Sequence, residues 1–419
     1  MPSMNVFRKP ALNGLIVLFL SLTLILTPEA SQTRAAGATP QSLIQVTTSA
    51  DELNNDGDCS LREAIRAANL DVAVDACPAG NGADRINLPA GMYLLSIPGQ
   101  DENAALTGDL DITADLTIVG EGKERTFVDA NQIDRVFHVT GPYAVQFSSL
   151  TIQNGVTTTA LYGGGGVLNE SGGILTIANV DLLNNTSSET GGALDNAGIA
   201  TLFNVTIQDN SAKFGGGIFN GGTLNMTGAT LTGNSAVNQG GGLDNNSISR
   251  LTNVTFSENT APEGGGIFSD FSVYLYSCTF NGNSMAIFLG GGEGRFKNTI
   301  VAGSSGGDNC SGTGAIITLG YNLDSGTSCA FNDLKDLTGT SPLLAPLQDN
   351  GGLTFTHALL SGSPAIDAGE NLDCPPTDQR GAPRPTNGDE DPAVICDIGA
   401  YESNSEVPVY RIFLPAASR

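Results

Sequence analysis

Between residues 163 and 283 apolar and polar positions alternate in short blocks that keep returning. The blocks "VDLLNN", "VTIQDN", "ATLTGN", "VTFSEN" and "CTFNGN" end at Asn185, Asn210, Asn234, Asn259 and Asn283, at spacings of 25, 24, 25 and 24. Each has the apolar, polar, apolar order of a half-buried strand. Val180, Val205, Ala229, Val254 and Cys278 then form one inward column, and Leu182, Ile207, Leu231, Phe256 and Phe280 the next. Midway between these blocks lie glycine-rich runs that precede Val167, Ala193, Ile218, Leu243 and Ile267, at spacings of 26, 25, 25 and 24. Two independent registers agree on one period.

A unit of about 25 residues with short strands and no helical periodicity cannot bury its apolar face alone, so it must stack on its neighbours. The expected fold is all-β: a right-handed parallel β-helix of about 24–25 residues per coil, with successive coils about 4.8 Å apart. Stacked Asn185, Asn210, Asn234, Asn259 and Asn283 are expected to form a structural polar ladder, because an amide carries both donor and acceptor and Asn tolerates the left-handed corner conformation. Asn169, Asp195, Asn220, Asn245 and Ser269 make a second polar column. A run such as "GGGIFN" could instead be a phosphate loop, but it recurs five times with no helix behind it, and phosphate loops need that helix.

Only residues 56–70, "DGDCSLREAIRAANL", predict a helix. Ser60 and Glu63 form a capping box, and Leu61, Ala64, Ile65 and Ala68 share one face. An amphipathic helix at this point suits the plugging of an open solenoid end. Residues 1–36 carry Arg8 and Lys9 before an apolar stretch and then small residues, the layout of a secretory signal peptide. The chain therefore divides into 1–36 signal, 37–140 N-terminal cap and first coils, 141–305 repeat core, 306–403 disulfide-containing C-terminal coils and cap, and 404–419 tail. No transmembrane segment is expected after the signal.

Glycine, at 54 of 419 residues, is well above the usual ~7%, as a turn-rich chain requires. A formal net charge of −25 argues against nucleic-acid partners. Behind an export signal, the cysteines suggest local disulfides in the pairs Cys59/Cys77, Cys310/Cys329 and Cys374/Cys396. Cys278 occupies a valine column and is expected to be a buried, inert thiol.

Three stretches carry a resemblance. "CSLREAIRAAN" resembles the CSLREA module of bacterial exported proteins. "GGGI" runs, with Phe256 to Asn259 and Phe280 to Asn283, are similar to the GGA[IL] and FxxN repeats of polymorphic outer-membrane proteins. "LQDNGGLTFTHALLSGSPAIDAG", "TDQRGAPRP" and "CDIGAYE" resemble the choice-of-anchor Q region. The resemblance implies a secreted or surface-displayed β-helix with no uniform biochemical activity.

Candidate chemistry is sparse. Asp109 and Asp111 sit i, i+2 on one strand face, placed to bind a cation or a sugar. Glu52, Asn54, Asp56, Ser60 and Glu63, with Gly57 at the sixth place, imitate a calcium loop, although the capping box already accounts for Ser60 and Glu63. No cofactor is expected, Ca²⁺ being the one candidate. His138 and His357 are the only histidines, and His138 reads as a strand residue. Asp378, Arg380, Arg384 and Asp397 suggest a ligand cleft or, as we prefer, a cap in which Arg380 pairs with Asp397. The resulting expectation is a non-catalytic, secreted or cell-surface protein that binds glycans or surface proteins or serves as an envelope structural element. The rival is a polysaccharide lyase or glycoside hydrolase on the same fold.

Overall fold

The computed structural model describes residues 42–407, apart from 101, 159–162, 334 and 389–391. The signal-peptide assignment and residues 408–419 of the tail lie outside them. Among the described residues, three long parallel sheets run along a parallel β-helix. Two have eleven strands and one has nine, and a four-stranded sheet and a two-stranded hairpin flank them.

Register follows the sequence period. Leu182, Ile207, Leu231, Phe256 and Phe280 pair in succession in the second eleven-stranded sheet. These residues and the column Val180, Val205, Ala229, Val254 and Cys278 are fully buried. Phe256 and Phe280 stack with ring centroids 4.7 Å apart, so the interior is filled by like side chains one above another.

The Asn ladder is built as a continuous chain. Each amide donates to the next side-chain carbonyl at 2.9–3.0 Å, and the same Oδ1 also accepts the backbone N–H of the preceding ladder residue. The left-handed corner itself falls one residue earlier, on Asn184, Asp209, Gly233, Glu258 and Gly282. The ladder asparagines therefore bond the corner and do not bend it.

The second polar column differs from expectation by one residue in one coil. Leu194, not Ala193, pairs with Val167 and Ile218, and Asn196, not Asp195, links Asn169 to Asn220 through amide contacts of 2.7 and 2.8 Å. Ala193 occupies the position before the inward residue that Gly242 fills two coils on. Asp195 consequently faces outward, where Thr190 donates to it at 2.6 Å.

Gly215 adopts φ 65°, which a glycine enters without penalty. At Gly216 an added Cβ would lie 2.3 Å from the Ser235 carbonyl oxygen, so close coil approach accounts for this glycine.

Helix α1 spans Leu61–Leu70, with Ser60 as N-cap and the capping box present. Its side chains complete the exposed edge of the nine-stranded sheet. Asn69 donates to the Asp111 carbonyl at 2.7 Å and accepts the Thr113 N–H at 2.9 Å, standing in for a neighbouring strand. Buried Arg62 pairs with Asp51 at 2.6 Å and donates to the Gly108 and Asp109 carbonyls.

Residues 344–388 and 392–405 pack along the flank of the eleven-stranded sheet that holds the Leu182 to Phe280 column. Gln379 bonds Thr230, Thr255 and Thr354, while His357 meets Ser257 at 3.1 Å. Arg380 pairs with Asp378 at 2.7 Å and not with Asp397, because the turn from Asp378 to Ala382 brings the nearer carboxylate to the guanidinium. Asp397 is occupied by the N–H groups of Asp367 and Ser403. Arg384 pairs with Glu402 at 2.8 Å, both side chains fully buried. These four candidate-cleft residues turn inward on partners of their own. Disulfides join Cys59 to Cys77, Cys310 to Cys329 and Cys374 to Cys396, and Cys278 is a buried free thiol. No helix among the described residues is long and apolar enough to cross a membrane.

Candidate functional site

In the nine-stranded sheet the middle residue of each three-residue strand points outward. Pairing aligns Asp111, His138, Leu168, Asp195, Phe219, Asp244, Phe268 and Phe288 in one row. The alternation that sends Leu110 and Ile112 into the core sends Asp111 out beside Asp109.

The structure brings Asp109 and Asp111 together with His138, their ligating atoms all within 4.8 Å of one another. His138 Nδ1 lies 3.0 Å from Asp111 and Nε2 3.1 Å from Glu170. Each ring nitrogen faces a carboxylate oxygen, so both contacts are hydrogen bonds only with protons on both nitrogens or on one carboxyl. Arg135 closes the cluster on the other side, 2.6 Å from Asp109, and donates to the Gly163 carbonyl at 3.0 Å. Burial, reinforced by the charge of Asp111, pushes the Asp109 carboxyl up to about 8, against the pull of Arg135. Burial also raises neighbouring Asp134. The loop before the strand covers the cluster, and its Ala105 N–H donates to Asp111 at 2.8 Å.

This arrangement can move protons. A buried carboxylate, an imidazole and the half-exposed carboxylate of Glu170 form a line from interior to surface, beside an acid that stays protonated near neutrality. A cation here would share Asp109 with the Arg135 guanidinium, which sits 2.6 Å from one of its two oxygens, and the two positive charges would repel. The sequence reading missed Arg135, Glu170 and the role of His138. "LDI" and "FHV" carry the same apolar, polar, apolar pattern with Asp111 and His138 27 positions apart, which is the signal that would have joined them.

Further along the row Asp244 is fully buried, and among the described residues Gln239 is the one side chain that approaches its carboxylate as a donor. Desolvation pushes it up to about 7, with Gln239 acting in the opposite direction.

The proposed calcium loop does not assemble. Glu63 accepts the N–H groups of Ser60 and Asn54, the Ser60 hydroxyl donates to the Glu52 carbonyl, and Asn54 turns its NH₂ toward Glu52 and Asp56. Helix capping and a donor group in place of an acceptor remove three of the five supposed ligands. Carboxylates gather instead as Glu52, Asp56 and Asp58, and as Asp58, Glu63 and Asp75; their mutual repulsion adds to desolvation in raising Glu52 and Asp58.

Residues 253–270 match the Chlamydia polymorphic membrane protein repeat. No curated protein matches the chain. Among solved structures, the chain is similar to pectate lyase Pel9A, with 12% identity, a TM-score of 0.40, and coverage of 88% of this chain and 98% of that one.

Proposed function

We propose that this protein is a secreted or cell-surface, non-catalytic β-helix that binds glycans or surface proteins along its side. The observation that carries this reading is the outward face of the first eleven-stranded sheet. Ile174 pairs with Ile199, Thr176 with Thr201, and Ala178 with Phe203, and Ile174, Ile199 and Phe203 are each nearly half exposed. The second eleven-stranded sheet is by contrast covered by the C-terminal flank, where Phe355, Gln379 and Ala400 bond the buried Thr230, Thr255 and Thr279. An open, flat array of apolar and hydroxylated side chains at coil spacing suits an elongated partner.

Three disulfides support an extracytoplasmic location, and the resemblance of residues 59–69 and 347–402 to CSLREA and choice-of-anchor Q segments supports surface display. The division at 37–140, 141–305 and 306–403 belongs to the same proposal. The purified protein, screened on a panel of neutral and acidic glycans, should retain at least one of them; an empty panel removes glycans from the reading.

A second reading, a polysaccharide-active enzyme, is favoured by Asp109, Asp111, His138 and Glu170. Release of new reducing ends or unsaturated products from any polysaccharide, abolished in His138→Ala, would establish it.

A further inference from the structure

On the open face of the first eleven-stranded sheet the middle columns end in an unusual group. Asn225, Arg250, Tyr274 and Arg295 pair in sequence on adjacent strands. The Arg250 guanidinium lies 5.3 Å and the Arg295 guanidinium 5.7 Å from the Tyr274 ring centroid, so one ring is sandwiched between two cations. Arg295 is tied by its Nε to Glu293 at 2.9 Å. Arg250 is exposed, and among the described arginines its side chain alone makes no hydrogen bond or ion pair to the protein. In a chain with 43 acidic and 18 basic residues, Arg250 thus keeps its whole guanidinium for a ligand, whereas Arg66 and Arg85, also without a carboxylate, are each tied to a protein oxygen.

We infer that Arg250, Tyr274 and Arg295 form a binding site for an anionic polysaccharide, one whose carboxylate or sulfate groups recur along the chain. The two guanidiniums sit two coils apart, roughly 10 Å by the strand spacing, and both project from one flat face. The ring between them fixes the planes of the guanidiniums, so less side-chain freedom is lost when each fork closes on an oxyanion. Arg250 offers all its donors, and Arg295 keeps those not used by Glu293. Exposed Phe203 and half-buried Tyr276 lie on the same sheet face and supply apolar surface for sugar rings. The protein's overall negative charge repels such a polymer at long range, but that field is screened beyond about 10 Å at moderate ionic strength, whereas direct contacts are not.

The inference rests on the glycan-binding reading and names its ligand class. Its test uses the full chain, immobilised, with hyaluronan, dextran sulfate and uncharged dextran as probes, against wild type, the double variant Arg250→Gln/Arg295→Gln, and Arg85→Gln. Arg85 is an exposed arginine on the same face of the same sheet and serves as the control for loss of a positive charge elsewhere on that face. The substitutions are on exposed or half-exposed side chains, and an unchanged far-UV spectrum and unfolding midpoint show that the variants fold. Wild type and Arg85→Gln should retain at least one anionic polymer and not dextran, while the double variant loses at least tenfold in affinity. Retention of hyaluronan alone would assign carboxylate, and of dextran sulfate alone sulfate. Equal retention by wild type and the double variant, or an equal loss in Arg85→Gln, would overturn the site. Retention of dextran as strong as that of the charged polymers would overturn the ligand class and leave the glycan-binding reading standing. If none of the three is retained while the glycan panel is positive, the inference alone fails; if the panel is empty too, both fail.

Discussion

The side-chain amide of Asn210 donates to the side-chain carbonyl of Asn234 at 3.0 Å, and the same Asn234 oxygen accepts the Asn210 backbone N–H at 3.1 Å. Asn234 in turn donates to the Ile207 carbonyl and to Asn259. One fully buried side chain thus satisfies two backbone groups of the preceding coil as well as its neighbours in the ladder, and an interruption leaves several polar atoms stranded at once. Asn234→Ala should cost about 2–4 kcal/mol, read as a fall in the denaturation midpoint with an unchanged denaturant slope. A loss below about 0.5 kcal/mol would mean that water or a shifted backbone replaces the amide.

Asp109 gives a pH signature. Its folded pKa of about 8 lies above the ordinary ~3.9 of an unfolded aspartate. Between about pH 4 and 8 the folded chain therefore holds a proton that the unfolded chain has lost, so this contribution to stability is full at low pH, falls as pH rises through the window, and levels off above it. Asp134, Asp244 and Glu402 are raised as well and add a slope of the same sign. Asp109→Asn is neutral throughout. It costs a constant amount for the weakened Arg135 pair, yet its stability relative to wild type should improve from pH 5 to 8. A difference that does not change with pH would show that Arg135 keeps Asp109 ionised.

Most of the scaffold could be read from the sequence because repetition multiplies weak signals. An asparagine says little, but five at intervals of 24 or 25 specify a column. The same logic failed at Ala193, where a small residue replaced a corner glycine and shifted the apparent register by one, exchanging Asp195 for Asn196. It also failed at the C-terminal flank. Gln379 meets Thr255 across 124 residues, and a contact between a repeat and a non-repeating segment leaves no period to detect. At the candidate site, Asp109 and Asp111 stood out as a pair on one strand, but Arg135 and Glu170 became partners only through pairing between coils. The Arg380 partner was misassigned because two aspartates were available and only the turn at Asp378–Ala382 decides between them.

Cys278 should behave as a hydrophobe. Its thiol is fully buried in the column of Val180, Val205 and Val254, and desolvation pushes it up to about 12. In the native state it should not react with a thiol reagent at pH 8, and one equivalent should react once the chain is unfolded without reductant. Cys278→Val should cost under about 1.5 kcal/mol, the sulfur contacts to the Leu251 and Tyr276 carbonyls being long at 3.6 and 3.5 Å. Rapid native-state labelling would mean that the wall between coils opens locally.

Gln379 is the joint between the repeat and the flank. It accepts from the Thr255 hydroxyl at 2.7 Å and donates to Thr230 at 2.8 Å, to Thr354 at 3.0 Å and to the Phe355 carbonyl at 3.0 Å. All of these groups except the Phe355 peptide belong to buried residues, so Gln379→Ala strands the Thr255 hydroxyl, while Thr230 and Thr354 still donate to the Phe355 and Gly228 carbonyls, and should weaken the interface by about 1–3 kcal/mol. The damage should remain local, because the coils keep their own ladders and parallel pairing without the flank. Hydrogen exchange should quicken at residues 353–357 and 379–384 while amides near Asn185 and Asn210 keep their protection. If exchange rises equally along the coils, the flanking segment is an integral part of the solenoid's cooperative unit and not a layer laid upon it.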